Sequence, residues 1–299
     1  MNESPDTTDE ASSRGLRRYL IDGAIAVVGV LALTGGVLAS LSGGDDVPRG
    51  TTATTPEIVA LPSPLTVSGA YAPEPGTSGR QWVWLRDRGA FVGSEASASA
   101  PYLAFRALSL RSARTLTVGG TAVKLGTRPQ SYIVRPRTSR GRRVPLTVSP
   151  GPAQVSAADR RKVSAFLTGA VASTKPNFAL PGQGFFDQET DARGTFYWMG
   201  TKGTVDLISS GRPSKDGAKV RFVVWSPAPR TVLVRRQGDD GDDDVRVLVP
   251  AGRDTAIEVD DVALVGGRRQ LLLTTDGGSS TSADPRKLSI QLRSAQLTP

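Results

Sequence analysis

The chain has 299 residues, with 37 Lys and Arg against 28 Asp and Glu, a net charge of +9, and neither His nor Cys. Without Cys there is no disulfide framework, thiol nucleophile or thiolate zinc site, and without His there is no imidazole base, Ser-His-Asp triad or His-ligated metal. Carboxylates, Lys, Tyr and Arg are the remaining catalytic options, and the length suits about two ordinary domains.

Residues 1–18 are polar and acidic at first and then basic, with Arg14, Arg17 and Arg18, and read as a cytoplasmic tail. Within residues 19–41 lies an uncharged apolar run of 19 residues, from Gly23 to Leu41, close to the ~20 a helix needs to cross a bilayer. Positive charge before the run predicts an N-terminus in the cytoplasm and the remainder outside, a single pass through the plasma membrane. The run is longer than the apolar part of a leader and follows a long acidic tail, which favours an uncleaved anchor over cleavage near Val37-Leu38-Ala39. Gly29, Ala32, Gly36 and Ser40 share one helical face, the small-residue pattern that lets two spans pack as a homodimer. Residues 42–65, rich in Ser, Thr, Pro and Gly, read as a linker.

The exported part repeats itself. Gly69-Ala-Tyr71-Ala-Pro73-Glu74, followed by Gly79-Arg80-Gln-Trp82-Val-Trp84, matches Gly184-Phe-Phe186-Asp-Gln-Glu189, followed by Gly194-Thr-Phe196-Tyr-Trp198. Downstream, Arg114-Thr-Leu-Thr-Val118 matches Arg230-Thr-Val-Leu-Val234, so the offset stays at 114–116 residues. The expected fold is mainly β: two tandem antiparallel sandwiches, residues 66–152 and 183–299, joined by a helix and linker over 153–182.

In the first copy short runs rich in β-branched or aromatic residues predict strands over 81–85, 102–108, 115–118, 131–134 and 144–148. The second copy offers 195–199, 204–208, 219–225, 231–235, 245–249, 255–259, 269–274 and 288–292. Val220, Phe222 and Val224 alternate with Arg221 and Val223, giving one apolar face. Between the copies, Ser156 is placed to cap a helix over 157–172, with Val163, Phe166, Leu167 and Ala170 as an apolar stripe.

The Gly69-to-Trp82 segment resembles a motif of β-sandwich modules in bacterial membrane glycosyltransferases and related envelope proteins, where Gly-aromatic-x-x-Pro-Glu precedes Gly-Arg-Trp and a strand. The second copy keeps Gly184, Phe186, Glu189 and Trp198 but lacks the Pro and an Arg directly before the Trp. The likeness covers roughly twenty residues per copy and implies a surface module near glycan or lipid-linked sugar chemistry. One expected span leaves no multispanning catalytic part, which argues against transferase activity.

These observations point to a non-enzymatic envelope protein that binds a glycan or anionic surface polymer, or assists envelope assembly. The alternative is a scaffold subunit that binds another membrane or envelope protein, and a carboxylate glycosidase built on Glu74 and Glu189 is a further option. Candidate ligand residues are Glu74, Arg80, Trp82, Trp84, Glu189 and Trp198, because a carboxylate can accept from sugar hydroxyls while an indole stacks on the ring. The competing role for these residues is Glu paired with Arg, and Trp filling a core.

Residues 69–150 carry twelve Arg and one Lys against three acids, net +10, whereas residues 184–299 are neutral. Arg128, Arg135, Arg137, Arg140, Arg142 and Arg143 crowd one stretch and suit an anionic partner. Nucleic acid is not expected outside the cell, and no cofactor is expected. Asp239, Asp240 and Asp242 form a candidate calcium loop that lacks the EF-hand pattern and reads better as a solvated hairpin tip.

Overall fold

The computed structural model describes residues 56–298, apart from 76–79, 95–96, 98–99, 140–141, 212–216, 237–243 and 281–283. The expected tail, the span over 19–41 and most of the linker lie outside the described residues. No helix among the described residues is long and apolar enough to cross a membrane.

Strands build the whole of the described fold. A short β1 (Ser63–Pro64) precedes β2 (Thr66–Ala70), β3 (Glu74–Pro75) and the long β4 (Gln81–Val92). Then come β5 (Tyr102–Ser109), β6 (Arg114–Val118), β7 (Thr121–Leu125), β8 (Gln130–Val134) and β9 (Arg143–Ser149). A two-strand ribbon of β10 (Ala153–Gln154) and β11 (Lys162–Val163) leads into β12 (Ala165–Ser173). The second copy runs from β13 (Asn177–Pro181) through β14 (Phe185–Asp191), β15 (Gly194–Met199), β16 (Lys202–Ser209) and β17 (Ala218–Trp225). It continues with β18 (Arg230–Arg236), β19 (Val245–Val249), β20 (Thr255–Val262), β21 (Arg268–Thr275) and β22 (Ile290–Thr298).

Both copies have one topology. In the second, a front sheet β13-β16-β21-β18-β19 faces a back sheet β14-β15-β22-β17-β20. In the first, β4 serves both sheets: its C-terminal half joins β2 and β9 in the front order β2-β4-β9-β6-β7, and its N-terminal half joins β3 and β12 in the back order β3-β4-β12-β5-β8. The second copy divides the same stretch into β15 and β16. All named pairings are antiparallel, and the period-two pattern drives them: Val220, Phe222 and Val224 enter the core while Arg221 faces out. Leu85, Phe91, Leu103, Phe105, Leu116 and Leu146 fill the first core, and Phe185, Met199, Leu207, Phe222, Leu271 and Leu292 fill the second.

The first motif glycine has a backbone reason in each copy. Gly69 and Gly184 both take positive φ, +76° and +82°, and a Cβ at Gly184 would lie 1.9 Å from the Lys202 carbonyl oxygen. Only glycine fits such a left-handed close approach.

The expected helix over 157–172 is a strand instead. Val163, Ala165 and Leu167 are fully buried, while Phe166 between them is half-buried on the outer face. The apparent helical stripe arises because a bulge between Thr168 and Val171 shifts the alternation past Gly169. Ser156 does accept from the Asp159 N–H at 2.9 Å, a helix-cap geometry that here closes only a turn. The connecting segment 153–182 thus supplies the last strand of one copy and the first of the next. The linker also folds in part: β1 pairs with β12, and Leu61 belongs to the second copy's core. Strands β2, β7, β12, β13 and β14 and the two-residue strands β1, β3, β10 and β11 lie beyond the expected set, and the last strand lies over 290–298 instead of 288–292.

The back sheet of copy 1 packs on the front sheet of copy 2. Ala104 and Val171 meet Phe178, Leu180 and Ile208, with Tyr102 and Ile133 packed against them. Asp206 reinforces this contact: it accepts from Ser131 and Gln270 and lies 3.6 Å from Arg106 Nη1.

Candidate functional site

The motif carboxylates are built into a duplicated clasp. Glu74, on β3, accepts from Trp84 Nε1 at 2.9 Å and pairs with Arg161 Nη1. Arg161 also binds both oxygens of Asp159 and lies over the rings of Trp84 and Tyr71, at 4.9 and 5.7 Å. In copy 2, Arg286 binds Glu189 at 2.7 Å, holds Asp284 with two nitrogens and lies 5.0 Å over Phe186. Hydrogen bonds from Arg161 hold the Asp159 carboxyl below the usual carboxylate range, and Arg286 does the same to Asp284. Each clasp pins the segment ahead of the last strand to the start of the sandwich. Both motif Glu residues are therefore engaged by Arg, each within its own copy.

The clasp arginines were missed in the sequence, although the signal is there. Ala158-Asp159-Arg160-Arg161-Lys162-Val163-Ser164 aligns with Ala283-Asp284-Pro285-Arg286-Lys287-Leu288-Ser289. The offset has grown to 125 residues, against 116 at Arg114 and Arg230. The added residues fall between β18 and β19, in the run that holds Asp239, Asp240 and Asp242, which lies outside the described residues.

The tryptophans occupy outward faces. Trp82 and Trp84 alternate with Val83 and Leu85 on β4, and Leu85 is the residue that enters the core. Trp84 packs on Phe166 with ring centroids 3.7 Å apart, and Trp82 meets the same ring edge-on at 6.3 Å. In copy 2, Phe196 and Trp198 alternate with the core residues Tyr197 and Met199. Trp198 contacts Phe196 at 6.0 Å and Trp225 at 6.2 Å, both edge-to-face. Trp82, Trp84, Trp198 and Trp225 are all half-buried, and none belongs to a core. Register makes the two groups equivalent: Trp84 pairs with Phe166 on β12 as Trp198 pairs with Gln291 on β22, and Leu108 occupies the position of Trp225.

Copy 2 adds a charged support beneath its aromatic group. Arg293 is 2% exposed, pairs with Asp191 at 2.7 Å and Asp254 at 3.5 Å, and lies 5.7 Å from the Trp225 ring. Arg193 covers the same ring at 5.2 Å. The hydrogen bond from Arg293 holds the Asp191 carboxyl below its usual range. Trp225, Arg193 and Arg293 were not singled out in the sequence because nothing local marks them.

Arg80 is separated from this motif cluster. It is buried at 6% exposure, donates to the Pro181 carbonyl of copy 2 and lies 5.0 Å over Tyr197. Burial pushes the Tyr197 hydroxyl up. Arg80 and Trp82 line a crevice between the copies. Of the basic stretch, Arg128, Arg135, Arg137, Arg142 and Arg143 are exposed; Arg143 donates to Ser68 at 2.8 Å, and Arg140 lies outside the described residues. Among the described residues, no group of three or more Asp and Glu is placed to hold a metal ion.

No family model and no curated protein matches the chain. Among solved structures, a tandem CBM22 domain from Paenibacillus barcinonensis is similar at 8% identity and a TM-score of 0.25, over 83% of this chain and 99% of that one. Carbohydrate-binding modules of the β-sandwich superfamily are similar at 12% identity and a TM-score of 0.22, over 82% and 100%. An exo-β-1,3-galactanase from Phanerochaete chrysosporium is similar at 11% identity and a TM-score of 0.27, over 77% and 57%. Likeness at this level carries no functional argument, and the case rests on the residues.

Proposed function

We propose that this chain is a membrane-anchored, extracytoplasmic, non-enzymatic protein that binds envelope glycans on the outer faces of its two sandwiches. One observation carries the reading: half-buried tryptophans stand at equivalent outward positions of both copies, Trp84 and Trp198, outside either core. A core role does not require an indole there, and the part of each indole left accessible is apolar surface that a pyranose can contact. The clasp fixes Trp84 in place through Glu74 and Arg161, which lowers the ordering cost of binding. In this reading Glu74 and Glu189 position the aromatic groups and do not act as a catalytic pair. The apolar run over 19–41 would anchor the protein and present the sandwiches outside, with Gly29, Ala32, Gly36 and Ser40 pairing two anchors. The exposed arginines of copy 1 would draw an anionic polymer toward that copy.

Titration of the full chain with envelope oligosaccharides tests this. Trp84→Ala and Trp198→Ala are each expected to weaken binding about tenfold, and the double variant should abolish it while keeping the parent's circular dichroism spectrum. Unchanged affinity in the double variant would overturn the proposal.

A further inference from the structure

The junction between the copies holds a crevice of about 510 Å³, open mouth included, lined by Arg80, Trp82, Arg106, Thr168, Gly182 and Gln183 together with Pro129. Neither copy makes it alone. Two guanidinium groups enter it beside the same turn of copy 2: Arg80 donates to the Pro181 carbonyl, and Arg106 Nη1 abuts Gly182.

Two glycines make room for them. A Cβ at Gly182 would lie 2.5 Å from Arg106 Nη1, and one at Gly169 would lie 2.8 Å from Arg80 Nη1. Gly169 sits at the β12 bulge with φ +58°, and bulges commonly re-aim groups around a site.

The charges in this crevice do not balance. Arg80, although 94% buried by its 6% exposure, has no ion-pair partner among the described residues, and a buried charge is ordinarily paired. Arg106 has Asp206 at 3.6 Å, but that carboxylate already accepts from Ser131 and Gln270. The Nε atoms of both arginines are buried with no hydrogen-bond partner among the described residues. Beside these cations stands one aromatic wall, Trp82, half-buried and shared with the copy 1 aromatic face.

We infer that this crevice is a subsite for an acidic sugar: its carboxylate or phosphate lies against Arg80 and Arg106, and its ring lies on Trp82. A planar fork of donors suits either anion, and an apolar wall with a few placed polar groups suits a sugar. The inference rests on the glycan-binding reading above and names the chemical class that the junction between the copies would prefer.

The test is calorimetric titration of the full chain with three probes: a glucuronate-containing tetrasaccharide, its carboxyl-reduced neutral counterpart, and glucose 6-phosphate. The acidic tetrasaccharide is expected to bind about tenfold more tightly than the neutral one. Arg106→Gln should remove that preference, and Trp82→Ala should weaken both tetrasaccharides. Glucose 6-phosphate binding with the same Arg106 dependence would identify phosphate-bearing sugars as the source; binding by the tetrasaccharide alone would identify uronates. Because Arg106 also supports the junction, protection of Trp82 from oxidation by the acidic tetrasaccharide in the parent chain provides a second measurement. Equal affinity for the acidic and neutral tetrasaccharides, preference retained in Arg106→Gln, equally tight binding of inorganic phosphate, or no Trp82 protection would each overturn the inference. Loss of neutral binding in Trp84→Ala and Trp198→Ala without any acid preference would overturn it and leave the proposed function standing. A chain that binds no sugar at all would overturn both.

Discussion

The two copies share ten strand positions, a clasp and an outward aromatic group, yet they differ in which face is adhesive. Copy 1 offers its back sheet, where Tyr102, Ala104, Ile133 and Val171 meet the partner. Register places Lys219, Arg221, Glu258 and Gln296 at those positions in copy 2, and Lys219 and Arg221 pair with Glu258. The front sheets reverse the pattern: register sets Leu180 of copy 2, opposite Asp206, where copy 1 has Thr66, opposite Val92, and Phe178 lies two residues before it. Each copy therefore has one adhesive and one polar face. That is how a stacked array ends, since terminal repeats need polar outer faces to stay soluble.

The largest expected effect breaks the adhesive contact. Phe178 is 2% exposed at the centre of the junction. Phe178→Ala should cost about 3–5 kcal/mol, the usual range for removing a buried phenyl ring. Scanning calorimetry should then resolve two transitions in place of one coupled transition. A single transition at the parent temperature would show that the copies are not held together by this face.

The same duplication explains what the sequence could and could not reveal. Strands with an apolar residue at every second position, such as Val220-Phe222-Val224, were legible because those positions fill the core, while Arg221 marks the outer face. The last strand of copy 1 was not, because the bulge at Gly169 breaks its period and mimics a helical stripe. The motif residues were legible as a repeat, but their partners Arg161 and Arg286 were hidden by the lengthened β18–β19 hairpin, which moves the offset from 116 to 125. Alternation put Trp82 and Trp84 on one face, but which face turns outward was not legible, because Val83 and Leu85 between and beyond them are apolar too. The junction crevice was not legible, because Arg106 and Gly182 are far apart in sequence and only the docking of the copies joins them.

A second difference lies in the buried arginines near the bulge of each last strand. In copy 1, Gly169 opens space for Arg80, which is stacked on Tyr197 and has no ion pair among the described residues. In copy 2, Arg293 itself occupies the bulge and is paired with Asp191 and Asp254. Arg293→Ala should destabilise copy 2 by about 1–3 kcal/mol, because it removes a buried guanidinium packed on Trp225 and Phe196 and takes one of two arginines from Asp254 and the exposed Asp191, leaving Arg193. The pH dependence follows from Asp191, whose folded carboxyl lies below its ordinary value. Its stabilising contribution is present above about pH 4 and lost as pH falls below that. The parent should lose stability across this acid window more steeply than Arg293→Ala. Equal acid profiles would show that the pair contributes nothing to folding.

The smallest expected change is in association and not in folding, and it tests the end-of-array argument directly. Giving copy 2 the adhesive face of copy 1 requires Lys219→Tyr, Arg221→Ala, Glu258→Ile and Gln296→Val. These residues lie on one outer sheet face whose inner neighbours Val220, Phe222 and Ile257 remain in the core, so the fold should tolerate the exchange. The change removes a surface ion-pair network worth little on its own and exposes a contiguous apolar patch. The front face of copy 2 that would receive such a patch is already occupied within the chain. Two altered faces can instead meet each other around a two-fold axis. A dissociation constant on the order of 10⁻⁴ M is expected for a patch of this size, since only the surplus over the ordering cost appears as affinity. Sedimentation velocity of the variant against the parent measures it. If the variant associates no more than the parent, polarity at these four positions is not what ends the stack.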